Sequence, residues 1–336
     1  MSARPVNSNS HLCMVAPALA ALLVACDVKA PEYVRPDIPV KQTWQGAATQ
    51  APSARDTIQP DWWRGFESAY LDELVDKAID NNVDLRILAA RIGVARAGVE
   101  QASAAGKPNV QLGAGVDYVD HSQVAGSTTQ YSLAGTVDWE LDIWGKFAAG
   151  AEAQEAEVNA TEADWRAGYL SLVADVASAF FLIRQLDEQL ARQQESLSQN
   201  RDILGIYESR YREGLVPRTA LLQQRSEVKR LTQEELELLR LRKTTENSLA
   251  TLLGEPAGEY KVPKGRMMTQ LSLMDVPTGL PSTLLNRRPD IIAAEYRALR
   301  SVKLVGQARL AQLPSIGLTA RRGTASFELS SLLKAW

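Results

Sequence analysis

Few residues in this chain could do chemistry, and their spacing narrows the choice further. Among 336 residues there are two cysteines and two histidines, which leaves almost nothing for a metal site, a Cys/His nucleophile or a disulfide framework. Acidic pairs such as Glu234-Glu235 fall on helix faces, where a solvated surface is the ordinary explanation and paired proton transfer the rarer one. Gly254-Glu255-Pro256 and Gly106-Lys107-Pro108 lack the spacing of phosphate-binding loops. An enzyme is therefore not expected, nor a metal or diffusible cofactor. A net charge of −3 offers no basic surplus for nucleic acid. The one side chain whose position implies a covalent step is Cys26, which follows an apolar run of 14 residues from Leu12 to Ala25.

That run is too short to cross a bilayer as a helix, which takes about 20 residues, but it has the length of a secretory signal core. Its end, Leu23-Val24-Ala25-Cys26, is similar to the bacterial lipobox, in which a peptidase cuts before the cysteine and the cysteine takes a lipid. An ordinary signal that happens to end at a cysteine is the alternative. Removing residues 1–25 would also remove Cys13, leaving one acylated cysteine and no thiol. A diacylated and amide-acylated Cys26 would anchor firmly, because each buried methylene adds to membrane affinity. Asp27 complicates the address: in enteric bacteria an aspartate there resembles the signal that retains a lipoprotein in the inner membrane.

The elements behind these residues are mostly helical. An apolar content of 45% with 6% aromatics fits an Ala/Leu-rich helical protein. Residues 26–60 carry Pro31, Pro36, Pro39, Pro52 and Pro60 without apolar periodicity and form an extended leader. Residues 61–107 open with Trp62-Trp63, expected in the core at a helix start rather than in a pocket. Two helices follow, one with Leu71, Leu74, Val75, Ala78 and Ile79 on a face and one from Val83 to about Ser103. After Pro108 the period becomes two. Val110 to Tyr118 and Tyr131 to Leu141 each alternate apolar with polar or small residues, and a polar stretch from Asp120 to Gln130 separates them. Both runs are long enough to cross a membrane as tilted strands, so 108–142 is expected to be a β-hairpin, either transmembrane or soluble with one wet face.

The dominant stretch is 143–254. From Gly145 to Leu253 the only proline is Pro217, and apolar residues return at alternating steps of four and three. Leu172, Val176, Ala179, Ile183, Leu186, Leu190, Gln193, Leu197, Asn200, Leu204, Tyr207 and Tyr211 make a seam of 3.5-residue period. A helix from Lys146 to Glu213 would be roughly 100 Å long. Gly214 is expected to end it in a left-handed cap, with Pro217 in the first turn of the next helix. A second seam runs through Leu221, Gln224, Val228, Leu231, Glu235, Leu238, Arg242, Thr245, Leu249 and Leu252, which predicts an antiparallel helical hairpin. The polar seam positions fit either a larger helical assembly with a wet side or a solvated coiled-coil edge.

Shifting the chain against itself by 206 residues aligns Asn81–Leu112 with Arg287–Leu318, with eight identities in 32 positions. Pro108 meets Pro314 where a helix gives way to a strand in both copies. This combination resembles the outer membrane efflux protein family, in its lipoprotein branch. The residues that carry the likeness are Ala30-Pro-Glu-Tyr-Val-Arg-Pro, Trp62-Trp63, Asn82-Val-Asp-Leu, Trp139-Glu-Leu-Asp-Ile-Trp-Gly-Lys, Tyr211-Arg-Glu-Gly and Leu284-Leu-Asn-Arg-Arg-Pro-Asp-Ile.

The resemblance implies a mainly α fold with a β-barrel portion and two structural repeats. In the family, a homotrimer shares one barrel in the outer membrane, continued by a helical tunnel through the periplasm. It implies a passive exit duct for drugs or other small molecules, working with a periplasmic adaptor protein and an inner-membrane RND pump, or alternatively serving a type I secretion system. Cys26 would hold the lipid. Tyr211, Arg212, Gly214 and Leu215 would form the tip that meets the adaptor, although the same residues also serve as an ordinary helix cap. Residues 255–286 would belong to an equatorial segment, and 287–336 would begin the second repeat. The family's closing strand and second long helical pair have no counterpart before Trp336, so a trimer of this chain would offer three strands per protomer and open edges that are costly in lipid. A truncated, lipid-anchored coiled-coil protein without a channel is the rival reading. A periplasmic adaptor also carries a long hairpin, but the duplication argues against one.

Overall fold

The computed structural model of the protein describes residues 31–37, 61–120, 127–265, 286–332 and 334. Cys26, the signal segment, most of the leader and residues 266–285 of the expected equatorial segment lie outside the described residues. The fold is mainly helical with a small sheet, as expected. A 3-10 helix, Trp62–Phe66, precedes α1 (Ala69–Asn81) and α2 (Val83–Ala104); β1 (Asn109–Asp120) and β2 (Ser127–Leu141) lead into α3 (Lys146–Arg212) and α4 (Arg218–Leu252). Then come α5 (Pro289–Leu310), β3 (Ile316–Ser326) and the short α6 (Leu329–Leu332).

The long helix is real and unbroken: α3 runs for 67 residues and α4 for 35. Seam residues Leu172, Val176, Ile183, Leu186, Leu190 and Leu197 are buried on α3, and Leu221, Leu231 and Leu249 on α4. Its polar positions are satisfied inside the pair. The Gln193 amide donates to the Leu231 carbonyl at 2.9 Å, and Gln224 donates to the Asn200 carbonyl and side-chain oxygens at 3.2 and 3.1 Å. These amides therefore need no further helix to accept them. Two expectations shift slightly. Glu213 caps α3 rather than continuing it, and Pro217, with ψ 153°, stands at the N-cap of α4 instead of inside its first turn.

Two compact units divide the described residues: those within 31–37, 93–160 and 294–334 in one, those within 61–92 and 161–293 in the other. The second unit holds the larger core. Trp63 and the face of α1 formed by Leu71, Leu74, Val75 and Ala78 pack against Val173, Val176, Phe180 and Ile183 of α3 and Leu249 and Leu253 at the end of α4. The expected face of α1 and the core role of Trp63 are both found. Ser68 starts α1 by accepting from the Leu71 amide, and Asn82 starts α2 by accepting from the Leu85 amide at 2.9 Å. The Asn82 amide also reaches the Leu252 carbonyl at 3.0 Å, and Lys77 pairs with Glu255 at 2.7 Å, so the junction of α1 and α2 grips the end of α4.

In the first unit, β1, β2 and β3 form an antiparallel sheet in that order. The strand β2 starts at Ser127, four residues before the expected Tyr131, so part of the stretch read as a polar connection is strand. Its residues are polar because they lie at the hairpin end of the ladder, not because they leave it. The duplication holds in three dimensions: α2 and α5 are displaced by the same 206 residues at both ends, and each is followed by its proline and a strand.

Candidate functional site

The register sorts the sheet into two faces. Val110, Leu112, Ala114 and Val116 of β1 pair with Val137, Gly135, Leu133 and Tyr131 of β2. These in turn pair with Ala320, Arg322, Thr324 and Ser326 of β3, while Trp139 meets Leu318 and Leu141 meets Ile316. One face is thus apolar over most of its area. The other carries Gln111, Asp117, Gln130, Ser132, Thr136, Asp138 and Thr319 among small residues. On β1 the apolar side chains are open, Val110 at 71% and Leu112 at 74% exposure. An apolar surface left open on a strand of membrane length, backed by a hydrated one, is the two-faced character of a barrel wall.

The corner where β2 becomes α3 uses nearly every residue of Trp139-Glu-Leu-Asp-Ile-Trp-Gly-Lys. Trp139 donates its indole N–H to the Gly106 carbonyl at 3.0 Å, and Trp144 donates to the Pro314 carbonyl at 2.8 Å. Each indole therefore braces the helix-to-strand break of one repeat. Lys146 pairs with Glu140 at 2.6 Å across the bend. Asp142 accepts from the Phe147 and Ala148 amides at 3.2 and 2.9 Å, satisfying two orphan donors at the start of α3. Gly145 takes φ +76°, the left-handed turn that side chains resist.

At the other end of α3 the tip closes as a Schellman cap. Gly214, with φ +75°, donates to the Tyr211 carbonyl, and Leu215 donates to the Arg210 carbonyl at 2.8 Å. Tyr211 is 40% and Leu215 68% exposed. Arg212 donates to Ser209 Oγ at 3.0 Å, and Arg225 of α4 pairs with Glu208 of α3 at 2.9 Å, so the two helices are tied near the turn. The four tip residues singled out by sequence thus form one local structure: a glycine cap flanked by two open apolar side chains and an arginine.

A second polar constellation escaped the sequence reading. Asp187 and Glu246 are buried, as is Arg184. Arg242 of α4 bridges both carboxylates, and its guanidinium also donates to the Val262 carbonyl at 2.9 Å. Asp187 accepts from the Gly265 amide at 3.2 Å, Glu246 from the Val262 amide at 3.0 Å, and Arg184 donates to the Pro263 carbonyl at 2.6 Å. The cluster holds the segment Val262–Gly265 on the hairpin through charges that are almost wholly desolvated. The available signal was Arg242 at a seam position, which demands a carboxylate somewhere opposite. Nearby, the Tyr70 and Tyr260 hydroxyls meet at 3.3 Å. Burial first, and the bond to Tyr260 second, push the Tyr70 phenol well above its ordinary value of 10.0.

A sheet with one open apolar face and a long coiled hairpin are the two elements of a membrane β-barrel protein that also carries a helical part. The outer membrane efflux protein model matches residues 74–255. The chain belongs to that family. It is 33% identical over 328 residues to the outer membrane protein OprJ of Pseudomonas aeruginosa, covering 94% of this chain and 67% of OprJ. It is 30% identical over 317 residues to SilC of Salmonella typhimurium, a probable outer membrane lipoprotein, covering 93% and 68%. The structure superposes on the open state of the outer membrane channel MtrE of Neisseria gonorrhoeae with a TM-score of 0.78 at 26% identity, covering 92% of this chain and 69% of that one. The protein is accordingly an outer membrane efflux channel component.

Proposed function

We propose that the protein is the exit duct of a tripartite pump, assembled as a homotrimer and joined to a periplasmic adaptor and an inner-membrane RND transporter. On this reading, residues 1–25 are removed, and Cys26 takes the lipid at the head of the leader 26–60. Residues 108–142 enter the barrel, 143–254 form the periplasmic hairpin, 61–107 and 255–286 belong to the equatorial region, and 287–336 open the second repeat. Tyr211, Arg212, Gly214 and Leu215 offer the adaptor its contact. The likeness to SilC supports the lipid on Cys26.

The observation that carries the reading is the direct passage, through the four-residue corner 142–145, from a hairpin with strands of 12 and 15 residues into a helix of 67. A globular interior has no use for a helix of about 100 Å, whereas a path between two membranes needs one. Such a duct does no chemistry. A water-filled lumen lowers the barrier to a solute, and opening follows the difference in adaptor affinity between closed and open tips. The test is stepwise conductance in planar bilayers, measured beside a full-length relative, together with rescue of drug export in cells lacking their own duct. Conductance steps and rescue support the duct; an inert, lipid-anchored protein in both assays overturns it.

A further inference from the structure

The apolar face of the sheet carries one charge within the body of its strands. Arg322 pairs with Gly135, so it shares that face with Leu112, Leu133, Val137 and Leu318. Its side chain is exposed, and among the described residues no carboxylate pairs with it. An unpaired guanidinium against hydrocarbon is costly, and the cost is avoided by reaching the interface and finding an anion there. Gly135 beside it has no side chain and Ala320 on its own strand is small, while Thr324, toward the strand end, is buried beneath α6. From Arg322 to the strand end at Ser326 is about 13 Å along the strand and, at the usual tilt, about 9 Å along the membrane normal. An arginine side chain covers most of that distance.

A second cation stands at this end. The Thr324 hydroxyl donates to the Leu332 carbonyl at 3.3 Å, which folds α6 onto the same face, and the exposed Lys334 follows two residues later. Glu328 also lies at this end, and its carboxylate accepts from the Ser331 hydroxyl at 3.4 Å. We propose that Arg322, with Lys334 beyond it, holds the phosphate of an anionic membrane lipid against the outside of the barrel wall. The site rests on the reading of the strands as transmembrane. A phosphate offers several acceptor oxygens to the guanidinium fork, and a lipid phosphate is the form delivered at that depth.

The test uses the full chain extracted from outer membranes, with lipid phosphorus per protein measured before and after detergent exchange. Arg322→Ala is expected to lose roughly half or more of the tightly held phosphorus, Arg322→Lys and Lys334→Ala less, and Arg321→Ala, on the polar face, none. The two milder variants keep the test decisive where Arg322→Ala does not fold. Equal retention by wild type and all variants overturns the site. Release of the bound phosphorus by inorganic phosphate at matched concentration assigns the site to free phosphate and overturns the lipid. Protease protection of the strands in the same membranes separates the two layers of the claim: protected strands without bound lipid sink the site alone, and unprotected strands sink the transmembrane reading with it.

Discussion

Single positions here differ in how much they carry, and the two capping glycines show why. Gly214 and Gly254 both take positive φ, but a Cβ on Gly214 would meet open space, while one on Gly254 would come within 2.7 Å of the Asn81 carbonyl. Gly214→Ala should cost about 1 kcal/mol, the penalty of the left-handed conformation alone. Gly254→Ala should cost about 2–3 kcal/mol, because the junction of α1 and α2 must also give way. Thermal melts followed by circular dichroism separate the two; equal losses would mean the Asn81 carbonyl moves freely. Tyr70 gives a pH signature. Its phenol holds its proton more tightly folded than unfolded, so its contribution is intact below the unfolded value of 10.0 and declines as pH rises beyond it. Tyr70→Phe should flatten that alkaline loss of stability, and phenolate absorbance should show one tyrosine fewer titrating late. Asp187→Asn leaves Arg184 and Arg242 without their shared buried anion and should cost about 3–5 kcal/mol. Denaturant midpoints read it directly. The left-handed cap at Gly214 was visible in the string, whereas Asp187 and Glu246 look there like any helical acid. Burial of a charge depends on a partner as far away in sequence as Asp187 is from Arg242, and no local window contains both.

The hairpin was legible because its information is local and repetitive. A 3.5-residue period persisting past Leu172, one glycine and one proline at the turn, and a second seam leave little freedom. The role of the polar seam positions was not legible, since the same Gln193, Asn200 and Gln224 fit a wet lumen or an internal bond. The structure pairs them with the partner helix. That pairing has a measurable consequence. Gln224→Leu leaves the Asn200 side-chain oxygen without its donor in a half-buried seam and should cost about 1 kcal/mol, Asn200→Leu leaves Gln224 its bond to the backbone carbonyl and should cost less, and the double replacement should cost less than the two single losses added. A double-mutant cycle on thermal stability returns the coupling. A coupling near zero would mean water already serves both amides.

At the scale of the whole molecule, the duplication was the most informative feature, because it ties helix, proline and strand together at one spacing. Composition could never have supplied this. The repeat delivers β3 to the sheet, and β3 settles which face is which: Ile316, Leu318 and Ala320 continue the apolar side begun by Val110 and Leu112. Alternation alone left the hairpin open to a soluble reading, as one wet face and one dry face serve either setting. The paired register makes the distinction testable through single cysteines in a chain whose own cysteines are replaced by serine where they are not acylated. Gln111→Cys, Thr136→Cys and Thr319→Cys lie on the polar face and should react with a water-soluble thiol reagent added to intact cells, since the lumen admits it. Leu112→Cys, Val137→Cys and Leu318→Cys should stay unlabelled until detergent removes the bilayer, then react at similar rates. The contrast should alternate residue by residue along each strand, because a one-residue slip of register would exchange the two sets. Uniform labelling before detergent would place both faces in water and remove the sheet from the membrane.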